Sequence, residues 1–197
     1  VASIMGVGAS TGVPKRAMVA CSGSNDKCKQ KFDYQGIESC AAAAMVSGGP
    51  SACAFGCIGK GDCVAACKFD AIHVVNGVAV VDRQKCTGCS ACTVVCPKHI
   101  IFMKPLEEKP VVECSNKEKG PVVMKECTAG CIGCMLCQKN CPEGAITVTD
   151  FVASIDYDKC TGCGICTEKC PKKVIYFVDG KPKTAPNEAA PAEEKAN

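Results

Sequence analysis

A chain of 197 residues with 23 basic and 20 acidic side chains carries a formal net charge of +3, too slight an excess to single out nucleic acid as a partner. It has 21 cysteines but no tryptophan, three tyrosines and six phenylalanines, so its apolar core must be thin and needs staples beyond side-chain packing. No apolar run approaches the ~20 residues that span a bilayer, and an odd cysteine count fits poorly with a disulfide-stapled secreted scaffold.

In chain order, Gly6-x-Gly8-x3-Gly12 resembles a nucleotide fingerprint only loosely. Its third spacing is wrong and no strand precedes it, so it reads as a loop, and no flavin or nucleotide is expected on this chain. Residues 37–46 read as a helix stopped by Gly48-Gly49-Pro50. A first cysteine run follows at Cys57, Cys63 and Cys67, with Cys53 four residues ahead of it. Residues 72–75 and 78–82 flank Asn76-Gly77, a strong two-residue hairpin signal. The run Cys86, Cys89, Cys92 and Cys96 before Pro97 comes next, with a one-turn helix at 93–95 and a closing strand at 100–103. Residues 110–113 and 121–125 read as a second hairpin around a polar loop at 115–120. The pattern then returns with Cys131, Cys134, Cys137 and Cys141 before Pro142, and a hairpin at 146–149 and 153–156. Cys160, Cys163, Cys166 and Cys170 before Pro171, a helical turn at 167–169 and a strand at 174–178 complete it. Residues 181–197, rich in Pro, Ala, Glu and Lys, are expected to be a disordered tail.

Cys-x2-Cys-x2-Cys-x3-Cys-Pro is the bacterial ferredoxin spacing for [4Fe–4S] clusters, in which the fourth cysteine ligates the other cluster of a pair. Structural zinc sites split their ligands into two distant pairs, whereas here three ligands crowd into seven residues. Free thiolates imply a reducing compartment, the cytoplasm. Cluster binding then contributes folding energy. His73 and His99, the two histidines, sit beside the cysteine runs and read as packed or solvated. There is no triad or paired-carboxylate site, so the chain alone reads as an electron carrier with no bond-making site.

A shift of 74 residues superposes nine cysteines, including Lys85-Cys86-Thr87-Gly88-Cys89 on Lys159-Cys160-Thr161-Gly162-Cys163. The expected fold is therefore α+β: two tandem bacterial-type 2[4Fe–4S] ferredoxin-like units with short hairpins and helices, plus an N-terminal cysteine-containing extension. The divisions fall at 1–50 (extension), 51–109 (first unit), 110–126 (linking hairpin), 127–180 (second unit) and 181–197 (tail). In this register Lys60 stands where the second unit has Cys134. Cys53, the nearest spare thiol, is expected to fill the gap, the alternative being a three-ligand [3Fe–4S] cluster. With crossing-over, the four clusters take Cys53, Cys57, Cys63 and Cys96; Cys86, Cys89, Cys92 and Cys67; Cys131, Cys134, Cys137 and Cys170; and Cys160, Cys163, Cys166 and Cys141. A fifth cluster is expected from Cys21, Cys28 and Cys40 with either Cys114 or Cys127.

The stretch from Cys40 through Gly48-Gly49-Pro50, Cys53-Ala-Phe-Gly-Cys57-Ile-Gly-Lys-Gly-Asp-Cys63 to Ile72 resembles the B subunit of the Rnf complex, the ion-translocating ferredoxin:NAD oxidoreductase. Val112-Glu-Cys114-Ser-Asn-Lys-Glu-Lys-Gly120 and Cys127-Thr-Ala-Gly-Cys131-Ile-Gly-Cys134 resemble the long form of that family, the likeness running over residues 15–180. The resemblance implies a peripheral subunit on the cytoplasmic face of the cell membrane. It would accept electrons from reduced ferredoxin and relay them to membrane subunits of an Rnf-type complex, making it part of a translocase. The alternative is a soluble polyferredoxin, or an iron–sulfur subunit of another cytoplasmic oxidoreductase. Family members begin with a membrane anchor and a further cysteine-rich domain that this sequence does not match, so a fragment or a subunit docking without its own anchor is expected.

Overall fold

Lys15–Val19 forms strand β1, antiparallel to β4 (Ile101–Pro105), with Lys15 opposite Pro105 and Val19 opposite Ile101. Nothing local in Lys-Arg-Ala-Met-Val marks it as a strand; its partner lies far along the chain. The computed structural model describes residues 13–106 and 109–178. The glycines at 6–12 and the tail expected at 181–197 lie outside the described residues. The chain divides into two units, Val1–Glu107 and Glu108–Asn197.

In the first unit, helix α1 spans Cys40–Met45, capped by the Ser39 hydroxyl, which accepts a hydrogen bond from the Ala42 N–H. Two one-turn helices, α2 (Asp62–Ala65) and α3 (Ala91–Val95), carry Cys63 and Cys92. Strands β2 (Ile72–Val75) and β3 (Val78–Val81) form the hairpin that Asn76-Gly77 signals, both turn residues having positive φ as a type I′ turn requires. Ile72, Ala79, Ile100 and Ile101 pack with Cys63, Cys86 and Cys92 into the core.

The second unit repeats this plan. Helices α5 (Leu136–Lys139) and α6 (Ile165–Lys169) carry Cys137 and Cys166. Hairpin strands β6 (Ile146–Thr149) and β7 (Val152–Ile155) join through Asp150 and Phe151, which take positive φ without being Asn or Gly. Ile146, Ala153, Ile155, Val174 and Ile175 form the core with four buried cysteines.

The hairpin expected to link the copies does not exist. Val111–Val112 is a strand (β5), but it pairs with β8, Ile175–Tyr176, inside the second unit. The segment Gly120–Glu126 is instead a helix, α4. Its valines suggest a strand, yet Pro121 sits in the first turn, where a missing N–H costs nothing and the fixed φ favours helix. Val123 is fully buried under it.

Candidate metal centres

Each third cysteine of a run sits on a one-turn helix entered through a left-handed residue: Gly61, Ser90, Met135 and Gly164, with φ between 60° and 86°. The residue before each run's second position, Gly59, Gly88, Gly133 or Gly162, is also left-handed. Alternation of left- and right-handed residues turns successive N–H groups inward, a nest suited to negative charge. A side chain at Gly59 would run into the carbonyl of Gly77 at the tip of the β2–β3 hairpin.

Around each helical cysteine the fold gathers three further thiols. Cys92 has Cys86, Cys89 and Cys67 as neighbouring thiols, and Cys166 has Cys160, Cys163 and Cys141, with Cys137 of the neighbouring group also within reach. Cys137 has Cys131, Cys134 and Cys170. In all three groups the fourth thiol comes from the other run of the same unit, the crossing-over that the spacing implies. The Cys137 group lines a small cavity walled by Val148, Ala153, Val174 and Ile175.

The first group departs from the expected set. Its small cavity is lined by Cys57, Cys63, Cys96 and Cys40, with Val19, Ala79, Ile100 and Ile101 as apolar walls. Cys53, expected there, is absent from the lining. It lies near Cys21 instead. The expected fifth grouping of Cys21, Cys28 and Cys40 is thus divided, because Cys40 faces the first cavity.

The 74-residue register also misassigns Cys114. The Cys21 sulfur accepts N–H bonds from Gly23 and Cys57 (both 3.4 Å), and the Cys114 sulfur accepts them from Asn116 and Cys131 (3.5 and 3.2 Å). Each follows the strand that pairs with its unit's closing strand. Cys114 therefore corresponds to Cys21, not Cys40. Cys57 comes 36 residues after Cys21 whereas Cys131 comes 17 after Cys114, so the first unit carries 19 extra residues here. Cys127, buried at the end of α4, keeps its correspondence with Cys53.

The donor set fits an iron–sulfur cluster. Four thiols ring an apolar void in each lined cavity, and among the described residues no three Cys, His, Asp or Glu side chains converge on a single-ion point as zinc would need. Backbone N–H groups reach sulfurs, from Ala17 to Cys86 (3.5 Å) and from Ala71 to Cys67 (3.4 Å). Burial, reinforced by neighbouring thiols, pushes Cys63 and Cys166 up to about 12 and Cys137 up to about 11. Thiols so placed stay protonated unless bound metal charge holds them as thiolates. His73 is exposed beside Asp70 (3.6 Å), and neither it nor His99 lines these two cavities.

Comparison with known proteins agrees with this geometry. Residues 85–146 and 130–174 each match a family described as 4Fe-4S dicluster domain. The run at 57–67, with Lys60 in place of a cysteine, falls outside both matches. A ferredoxin of Alicyclobacillus acidocaldarius is 39% identical over 62 residues, covering 29% of this chain and 80% of that protein. The chain belongs to the ferredoxins that bind [4Fe–4S] clusters in pairs, a class that transfers single electrons. Over most of its length it is related to the B subunits of ion-translocating ferredoxin:NAD oxidoreductases. The B subunit of the Na(+)-translocating ferredoxin:NAD(+) oxidoreductase complex of Acetobacterium woodii is 42% identical over 160 residues, 81% of this chain and 48% of the relative. The B subunit of the ion-translocating oxidoreductase complex of Methanosarcina acetivorans is 39% identical over 142 residues, 72% and 54% of the two chains. The chain thus spans about half the length of these relatives. No helix among the described residues is long and apolar enough to cross a membrane.

Proposed function

We propose that this chain is the multi-cluster electron-transfer subunit of an Rnf-type ferredoxin:NAD oxidoreductase. In this reading it takes electrons from reduced ferredoxin and relays them to membrane subunits from the cytoplasmic face. The observation that carries the reading is the gathering of thiols from both runs of a unit around each of Cys63, Cys92, Cys137 and Cys166. We assign Cys86, Cys89, Cys92 and Cys67 to one cluster, Cys131, Cys134, Cys137 and Cys170 to another, and Cys160, Cys163, Cys166 and Cys141 to a third. Cys57, Cys63 and Cys96 contribute to the remaining one. A bound [4Fe–4S] cluster supplies reversible one-electron exchange. The chain's part is to hold it among apolar walls that exclude water, with N–H groups directed at the sulfurs.

The test is anaerobic mixing of the iron-loaded chain with chemically reduced ferredoxin, followed by the visible bleaching of its clusters, with pull-down of detergent-solubilised membrane subunits from the same organism. Rapid reduction together with retention of hydrophobic subunits supports the proposal. Reduction without such retention assigns the chain to a soluble polyferredoxin, and absence of reduction removes it from this electron path.

A further inference from the structure

The first cavity poses a problem that the other three groups do not. Its run has Lys60 where the second unit has Cys134, so the run supplies one thiol too few. The fold answers with a residue 17 positions before Cys57. Cys40 opens helix α1, in the Cys21-to-Cys57 segment that is 19 residues longer than its counterpart in the second unit, and its thiol lines the cavity with Cys57, Cys63 and Cys96. It is 8% exposed, as buried as Cys63 at 7%.

Three contacts fix it there. Asp62, immediately before Cys63, accepts hydrogen bonds from the backbone N–H groups of Cys40 (2.8 Å) and Ala41 (3.0 Å) and from the Ser39 hydroxyl (3.0 Å). One carboxylate therefore ties two thiol-bearing helices together. Lys60 turns away from the cavity. Its ammonium bonds Glu38 at 2.8 Å, two residues before Cys40, and lies 5.4 Å from the Tyr34 ring. Behind Cys40, the fully buried Ala43 packs against Ile58, next to Cys57. A buried cysteine is often only a small hydrophobe. That role does not require four thiols around one void, nor a lysine at the vacated position clasping the segment that brings the replacement.

We propose that Cys40 is the fourth ligand of the first cluster, delivered by helix α1 in place of the run's missing second cysteine, with Asp62, Lys60 and Glu38 as positioning residues. The inference rests on the reading that this cavity holds a [4Fe–4S] cluster. It makes Lys60 part of the site's construction, and it makes Cys53 dispensable for that cluster.

The whole chain, loaded with iron and sulfide anaerobically, tests it through metal content and EPR of the oxidised and reduced states. Wild type should hold about 16 iron atoms in four clusters. Cys40→Ala should lose iron from one cluster, either as a [3Fe–4S] signal in the oxidised state or as loss of that cluster entirely. Cys53→Ala should leave the four-iron signals of the ferredoxin-type clusters intact. The double variant Cys40→Ala/Lys60→Cys re-creates the ordinary spacing and should restore the four-iron cluster. Intact four-iron signals in Cys40→Ala overturn the assignment, as does a three-iron signal in Cys53→Ala alone or a double variant no better than Cys40→Ala. A wild-type chain that takes up no iron refutes the cluster reading itself, a separate failure.

Discussion

Asp62→Ala isolates the geometry that presents Cys40 without touching a thiol. The substitution removes the acceptor for three hydrogen bonds, those from Cys40 N–H, Ala41 N–H and Ser39 Oγ. Burial raises the Asp62 carboxyl, yet these bonds outweigh it and hold the group below its usual value, so it is a carboxylate at neutral pH. Capping side chains are worth about 0.5–2 kcal/mol when replaced by Ala. Ser39 still caps Ala42 in the variant and Asp62 is partly exposed, so we take about 1–2 kcal/mol for undocking α1 from the first cavity. At 1.4 kcal/mol per decade that is roughly a 5- to 30-fold shift in the docking equilibrium. With anaerobic protein and a slow oxidant, the appearance of the three-iron EPR signal should accelerate by that factor for one cluster of four. Asp62→Asn should fall between, since an amide oxygen still accepts N–H bonds. A rate within twofold of wild type, or equal acceleration at all clusters, would refute the reasoning.

Two further outcomes follow from packing and from the metal. A Cβ on Gly130 would collide with Cγ1 of the fully buried Val123, so Gly130→Ala should destabilise the second unit by about 1–3 kcal/mol. Val123→Ala should cost about 2 kcal/mol, and the double variant should cost less than the two together. Anaerobic thermal unfolding followed by visible circular dichroism measures this, and additivity to within about 0.5 kcal/mol would disprove the contact. Removing iron with a chelator under anaerobic conditions should abolish most far-ultraviolet signal, since cysteines form so much of both cores. Retention of the native spectrum would mean that side-chain packing alone holds the units.

What could be read from the sequence was whatever is local. The cysteine runs, the Asn76-Gly77 turn and the hairpins β2–β3 and β6–β7 each carry their signal within a few residues. Strand β1 does not, because what makes Lys15–Val19 a strand is Ile101–Pro105, far along the chain. Helix α4 was hidden by the β-branched Val122 and Val123, whose local preference yields to Pro121 and to burial. The match of Cys40 with Cys114 was an accident of letter counting across a 19-residue insertion. Cys53 is the spare thiol nearest the vacancy along the chain, whereas Cys40 is the one the fold brings to it. One signal did point the other way: Ser39 is a good N-cap directly before Cys40, and Asp62 is an anion placed to receive that helix.

The longer segment and Lys60 occur together in the first unit. A second ligand three residues from Cys57 closes a very short loop, whereas Cys40 closes one of 17. At (3/2)RT ln n the longer closure costs about 1.5 kcal/mol more. The Asp62 bonds offset about 1–2 kcal/mol of this. The Lys60–Glu38 pair adds no more than about 0.5 kcal/mol, because Glu38 is 73% exposed. The Tyr34 ring under the Lys60 ammonium adds about 0.5 kcal/mol. The Asp62 bonds alone therefore come close to offsetting the longer closure, and the Lys60 contacts add at most about 1 kcal/mol to them. Lys60 without helix α1 would leave a cluster short of a ligand. The helix without Lys60 would bring a fifth thiol to a complete site. The first unit carries both Lys60 and the longer segment, and the second, with Cys134 in place, carries neither.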